Sequence, residues 1–267
     1  MSSEASLAFL LEGPMQSWGT NSRYQRRATD PFPSKSGVLG LVAAALGIDK
    51  HAADESERLK PLAVLRFEAY RVPRERAGRA GEAIPVHRLE DYHTLGGGFD
   101  EATDPWARAG IPRKASGGPF GTVVTRRTYL TDAIFLALLT GDRAVLETVA
   151  TGLEDPVWGV WLGRKCCLPS MPLRACVDPS REAAIAGVLE RAQAMAPTSG
   201  SSKAWRYGIP ACVSREMAPG DDASPRDGAD TCADQPESFG HRRHVTRTFR
   251  RGGGAEPIQG PKSSDEF

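Results

Sequence analysis

Apolar positions along the chain alternate between short runs, a helical period and a period of two, and these patterns divide it into strands and helices. Residues 6–11 form an apolar run that stops at Gly13 and Pro14, the composition of a buried first strand followed by a turn. Val38, Leu41, Val42, Ala45 and Leu46 then recur at helical spacing behind Ser34, a residue suited to cap a helix, and Gly47 suits its C-terminal end. Over residues 63–72 the period falls to two. Leu65, Phe67 and Ala69 face one way and Arg66, Glu68 and Tyr70 the other, which predicts a half-buried strand. Residues 122–130 and 133–139 are rich in β-branched and aromatic side chains around Thr131 and Asp132, predicting two antiparallel strands joined by a tight turn. A helix starting at Asp142 buries Leu146, Val149, Ala150 and Leu153. Another, capped by Asp178 with Pro179 in its first turn, buries Ile185, Val188, Leu189 and Ala192.

Between these elements the pattern thins. Residues 95–121, bracketed by Gly96-Gly97-Gly98 and Gly117-Gly118-Pro119, lack clear periodicity and read as a long excursion from the core. Asp, Ala, Pro and Gly dominate from residue 214 onward, so 214–240 is expected to be a mobile loop after a first domain spanning 1–213. Residues 241–251 are strongly basic with alternating Val245 and Phe249, a basic strand, and 252–267 read as a disordered tail. The order strand, helix, strand, paired strands, helix and further strand suggests an α+β domain whose helices cover one face of an antiparallel sheet. A ferredoxin-like core would fit.

Composition narrows the function. With 267 residues, 40% of them hydrophobic, the chain can bury one sizeable core or two small ones. Its longest apolar runs, 39–46 and 134–139, fall far short of the ~20 residues a membrane-spanning helix needs. The start lacks a signal-peptide layout, so a cytoplasmic protein is expected, without a membrane role. Cys166 and Cys167 are adjacent while Cys176, Cys212 and Cys232 are scattered, which fits neither a disulfide framework nor paired metal ligands. Reduced thiols, no metal and no cofactor are expected. A net charge of +1 cannot drive polyanion binding in bulk, so any nucleic-acid affinity must come from local clustering.

Such clusters occur near the start. Gln16, Ser17, Trp18 and Gly19 lie close to Arg23, Arg26 and Arg27, combining amide and indole donors, an aromatic face for a base and guanidinium groups for phosphates. Trp18 either stacks a base or buries itself against the sheet. Pro33-Ser34-Lys35-Ser36-Gly37 opens a helix with hydroxyls, a lysine and a glycine that permits close backbone approach. Free N–H groups at such an end attract phosphate; the alternative is an ordinary capped helix with a solvated lysine. A Walker loop is absent, because Ser34 stands before Lys35 where glycine is required.

Five segments carry a resemblance: residues 11–19 (LEGPMQSWG), 31–48 (PFPSKSGVLGLVAAALGI), 91–94 (DYHT), 126–132 (RRTYLTD) and 162–169 (LGRKCCLP). In this order they resemble the Cas-five family of the RAMP superfamily, in the form found in type I-E CRISPR Cascade complexes. Past residue 180 the resemblance fades. It implies a RAMP/RRM-like, ferredoxin-like antiparallel sheet with an extended β-hairpin thumb, placed at about 95–121. It further implies a non-catalytic subunit of antiviral defence that binds the 5′ handle of the guide crRNA. The backbone (Cas-seven-type) subunit and the large subunit of Cascade would be its neighbours, and target DNA would be met only indirectly. By motif position, Gln16, Trp18, Arg23, Lys35, Ser36 and Gly37 become handle contacts, with Arg126, Arg127, Arg164 and Lys165 as phosphate partners. Arg126 and Arg127 are consecutive on a strand, so at most one can face a given groove.

The alternative is a metal-free endoribonuclease processing precursor crRNA, since a related branch of the family cleaves RNA. His87, Tyr92, His93, Lys35 and Lys165 supply the residue types for general acid–base chemistry and charge stabilisation. His87 and His93 share a face only if their strand is regular. Metal-dependent catalysis lacks a ligand pattern: His241 and His244 sit among Arg242, Arg243 and Arg247, whose charge repels a cation. That segment reads instead as a phosphate-facing or solvated basic strand.

Overall fold

The computed structural model describes residues 3–19, 25–76, 83–95, 123–195, 205–218, 221 and 229–252. Its first half runs β1 (Glu4–Glu12), β2 (Met15–Gln16), β3 (Arg26–Arg27), α1 (Lys35–Ala45), α2 (Glu55–Ala63), β4 (Arg66–Arg71), β5 (Arg74–Arg76) and β6 (His87–Leu95). The second half runs β7 (Val123–Thr131), β8 (Ile134–Asp142), α3 (Arg143–Glu154), β9 (Cys176–Asp178), α4 (Arg181–Met195), β10 (Trp205–Tyr207), β11 (Ala211–Glu216), β12 (Ala229–Ser238) and β13 (Arg243–Arg251). No helix among the described residues is long and apolar enough to cross a membrane.

The main sheet has the order β12-β13-β11-β4-β8-β1-β9, antiparallel throughout. Its adjacent strands β8 and β1 are apolar on both faces, and the reason is that both faces are covered. Leu7, Phe9 and Leu11 of β1, with Phe135, Ala137 and Leu139 of β8, pack in one core with α1, α2 and α3. The intervening Ala8 and Leu10, with Ile134, Leu136 and Leu138, pack against Ile185 and Val188 of α4. The expectation of helices on one face is therefore corrected: α4 covers the opposite side. A run without alternation is the mark of a strand buried twice.

Local chemistry sets the helix ends. Ser34 is extended at φ −83°, ψ 153°, and its side chain accepts a hydrogen bond from the Gly37 N–H, while Gly47 leaves the helix at φ +63°. Asp142 accepts from the N–H groups of Ala144 and Val145 at the start of α3. Helix α4 begins at Arg181, with Ser180 Oγ accepting from Ala183 N–H.

Two further expectations change. The strands on either side of Thr131 and Asp132 do not pair: β7 joins β6, β2 and β3 in a second sheet, because both edges of β8 are already taken by β1 and β4. Asp132, at φ +58°, makes the corner between the two sheets. The expected mobile loop over 214–240 holds a strand: β12 pairs with β13 through two register shifts. Its polar composition hid it, for Asp234 and Ser238 are buried against Lys35 N–H of α1 and Glu55 of α2, far away in the chain. The excursion lies almost wholly outside the described residues, as do residues 253–267 of the expected tail.

Candidate nucleic-acid interface

A cleft of about 910 Å³ opens between β3, the first turn of α1, the loop over 162–169 and the turn joining β12 to β13. Arg27, Arg164 and Arg242 supply its cationic lining, His244 an imidazole, Ser17, Ser34 and Ser36 its hydroxyls, and Phe239 an aromatic surface. Among the described residues no carboxylate lines it. Arginines in separate walls, hydroxyl donors and a helix N-terminus together suit the oxygens of a phosphodiester backbone.

Each wall is fixed by local geometry. Arg164 donates from Nη1 to Thr128 O at 3.1 Å and from Nη2 to Arg27 O at 2.5 Å and Ala28 O at 3.3 Å, with its guanidinium 4.9 Å from the centre of the Tyr129 ring. It thereby ties the loop to β3 and β7. Gly163 beside it has φ +92°, and a Cβ there would stand 1.8 Å from Ser17 O. Ser17 N–H in turn donates to Leu162 O at 3.1 Å. The β12–β13 turn is held by Glu55 of α2, which accepts from Ser238 Oγ at 2.5 Å, Phe239 N–H at 2.7 Å and Gly240 N–H at 3.1 Å.

Of the residues singled out from the sequence, Trp18, Arg27, Ser36, Gly37 and Arg164 line the cleft. Three of the expected contacts are nonetheless buried side chains with partners of their own. Gln16 is fully buried and donates to Leu11 O at 2.8 Å and Ala133 O at 2.7 Å. Trp18 is 1% exposed, and its Nε1–H donates to Gln16 Oε1 at 2.9 Å. Lys35 is also 1% exposed, with its ammonium paired to Glu216. These corrections share one cause, the pull of an apolar or acidic interior on side chains that sequence alone cannot orient. Gly37 serves that packing too, since a Cβ would meet the Trp18 ring at 3.0 Å.

The paired arginines separate by register. Arg26 aligns with Arg126 and Arg27 with Arg127, so neighbouring residues point to opposite faces of the ribbon. Arg127 Nε donates to Thr125 Oγ1 at 3.3 Å, and Arg126 reaches Glu90 at 3.5 Å. Lys165 is not in the cleft lining but stands 5.5 Å over the Trp161 ring. Arg23 lies outside the described residues. His87 and His93 do share a face of β6, whose pairing with β7 runs unbroken from His87 to Leu95, but six strand residues separate them by about 20 Å. Arg242 and His244 joined the cleft without having been singled out as contacts, although the basic run that contains them was visible.

Comparison with known proteins then adds ancestry. Residues 6–250 match the family model described as CRISPR-associated protein (Cas_Cas5). The chain is 30% identical over 170 residues to the CRISPR system Cascade subunit CasD of Escherichia coli (strain K12), covering 62% of this chain and 68% of CasD. A chain of a solved CRISPR RNA-guided surveillance complex aligns at TM-score 0.60 and 27% identity, over 92% of this chain and 88% of that one. A crystal structure of a Cas protein aligns at TM-score 0.51 and 28% identity, over 92% of each chain.

Proposed function

As the chain belongs to the CRISPR-associated Cas5 family, we propose that it is the non-catalytic crRNA-binding subunit of a type I-E Cascade surveillance complex in antiviral defence, gripping the 5′ handle of the guide in the cleft. One observation carries the reading: Arg27, Arg164, Arg242 and His244 converge from three walls on one polar cleft at the start of α1. The mechanism is positional. Phosphates sit against guanidinium and hydroxyl groups, and shape selects the RNA more than base identity does.

The strand order β4-β8-β1-β9, with α1 and α3 on one face, supports a ferredoxin-like core. The β6–β7 ribbon is read as the base of the thumb. A Cas-seven-type backbone subunit and the large subunit are the proposed neighbours. The wide separation of His87 and His93 argues against a shared role in cleavage, which needs acid and base at one phosphate.

The test is fluorescence anisotropy with a repeat-derived RNA across a salt series. The double variant Arg27→Gln/Arg242→Gln is expected to lower affinity and to flatten the salt slope by about one for each phosphate that is no longer neutralised. Unchanged affinity and slope would remove the cleft from RNA binding. Incubation of the same RNA in EDTA is expected to leave it intact; a discrete product abolished by His93→Ala would replace the scaffold with a nuclease.

A further inference from the structure

Of the strands β3, β7 and β6, the cleft takes only Arg27, and the row of side chains on the opposite face is left outside it. In the antiparallel pair Tyr92 of β6 stands opposite Arg126 of β7, and in the parallel pair Arg126 stands beside Arg26 of β3. All three therefore share a face, opposite the one that carries Arg27. Strands lie ~4.8 Å apart, so the row spans about 10 Å. Tyr92 is 63% exposed, a large apolar ring left in solvent at the centre of a polar strand. The Arg126 side chain is 53% exposed, and its pairing with Glu90, itself 56% exposed, is loose enough in water for a phosphate to displace. Arg26 and Arg27 are consecutive in β3, which among the described residues is the outer strand on that side of β7.

We propose that Tyr92, Arg126 and Arg26 form a second platform for single-stranded RNA, on which a base stacks against the tyrosine ring while the backbone crosses the two arginines. The strand reaches it from the cleft by bending round the β3 edge, where Arg27 serves one face and Arg26 the other. An aromatic ring at one end of an in-register row that continues through two arginines has the composition of a base-stacking site rather than of an apolar protein contact. The platform extends the RNA-binding reading above and depends on it.

Anisotropy with two oligouridylates, one of four and one of twelve nucleotides, separates the two sites. The short RNA can fill the cleft alone, whereas the long one reaches both. Tyr92→Ala in the full chain is expected to weaken the twelve-mer about tenfold, the scale of one base stack removed, and to leave the four-mer within about twofold. Tyr92→Phe is expected to restore the long-RNA affinity, and Arg26→Gln/Arg126→Gln to flatten only the twelve-mer's salt dependence. Equal behaviour of both RNAs in Tyr92→Ala overturns the platform. So does a Tyr92→Ala chain that keeps its long-RNA affinity but no longer retains a co-purifying protein subunit, which would make the row a protein contact. Wild-type protein that binds neither RNA would instead sink the cleft reading itself.

Discussion

Lys35 Nζ lies 2.9 Å from both carboxylate oxygens of Glu216, 181 residues further along the chain. Glu216 also accepts the Phe67 N–H at 2.9 Å, and Lys35 N–H donates to Asp234 at 2.8 Å. Asp234 in turn holds Arg247 through two bonds of 2.6 and 3.0 Å. Burial pushes the Lys35 ammonium pKa below its ordinary value while Glu216 opposes that shift. The first turn of α1 is thus pinned to β4, β11, β12 and β13 by charges hidden from solvent, and the turn joining β12 to β13 carries one wall of the cleft.

Removing one partner of a buried pair strands the other, which costs far more than the pair's own net contribution. Lys35→Met is therefore expected to destabilise the fold by about 3–5 kcal/mol in denaturant titration. Lys35→Met/Glu216→Gln should recover at least half of that loss, because the glutamine remains neutral and still accepts the Phe67 N–H. A single variant costing less than about 1 kcal/mol would mean that solvent reaches the pair.

Glu55 couples the cleft to pH. Burial alone would raise its pKa, but hydrogen bonds from Ser238, Gly240 and Phe239 outweigh it and hold the group below its ordinary 4.5. A depressed carboxylate contributes stability that is complete above the unfolded-state value and is lost as pH falls through the folded one. Amide-exchange protection at Phe239 and Gly240 should accordingly decline from about pH 5 downward. Glu55→Gln should lower protection at neutral pH and erase that decline; a wild-type turn with no change in protection over this range would contradict the linkage.

At Gly163 the backbone itself forbids a side chain, since φ is +92° and Ser17 O occupies the Cβ position. Gly163→Ala is expected to cost roughly 1–3 kcal/mol from the conformation alone, with the steric clash added. Because the loop carries Arg164, RNA affinity should fall as well. Thermal denaturation and anisotropy on one preparation would check both, and a variant matching wild type in each would contradict the tight approach.

Periodicity made the main elements legible. The α1 stripe and the apolar runs of β1 and β8 state their burial directly, whereas the alternation of β4 places Phe67 and Ala69 correctly but not Tyr70, which is 1% exposed in the core that α4 covers. Polar burial was not legible, because it depends on partners far along the chain. Strand β12 looks like a loop until Asp234 is seen accepting the Lys35 N–H of α1, and Lys35 looks solvated until Glu216 arrives. Helix α2 was likewise obscured by its charged sequence and internal Pro61. At the cleft, residue types were readable but orientation was not: Arg26 and Arg27 are alike in sequence and opposite in direction.

Trp18 makes that last distinction measurable. Its ring is buried beneath Gly37 and its indole N–H is satisfied by Gln16, so its role here is to support the cleft floor rather than to stack a base. Trp18→Leu keeps much of the apolar volume but removes the aromatic face and leaves Gln16 short of a donor. The fold should lose about 2–4 kcal/mol, as for other large-to-small core changes. RNA affinity of the folded fraction, measured in a stabilising osmolyte, should stay within about twofold, whereas loss of a stacked base would weaken it at least about fivefold. A fivefold loss without destabilisation would move Trp18 from the interior to the RNA, and the cleft would then have to open further than its resting geometry allows.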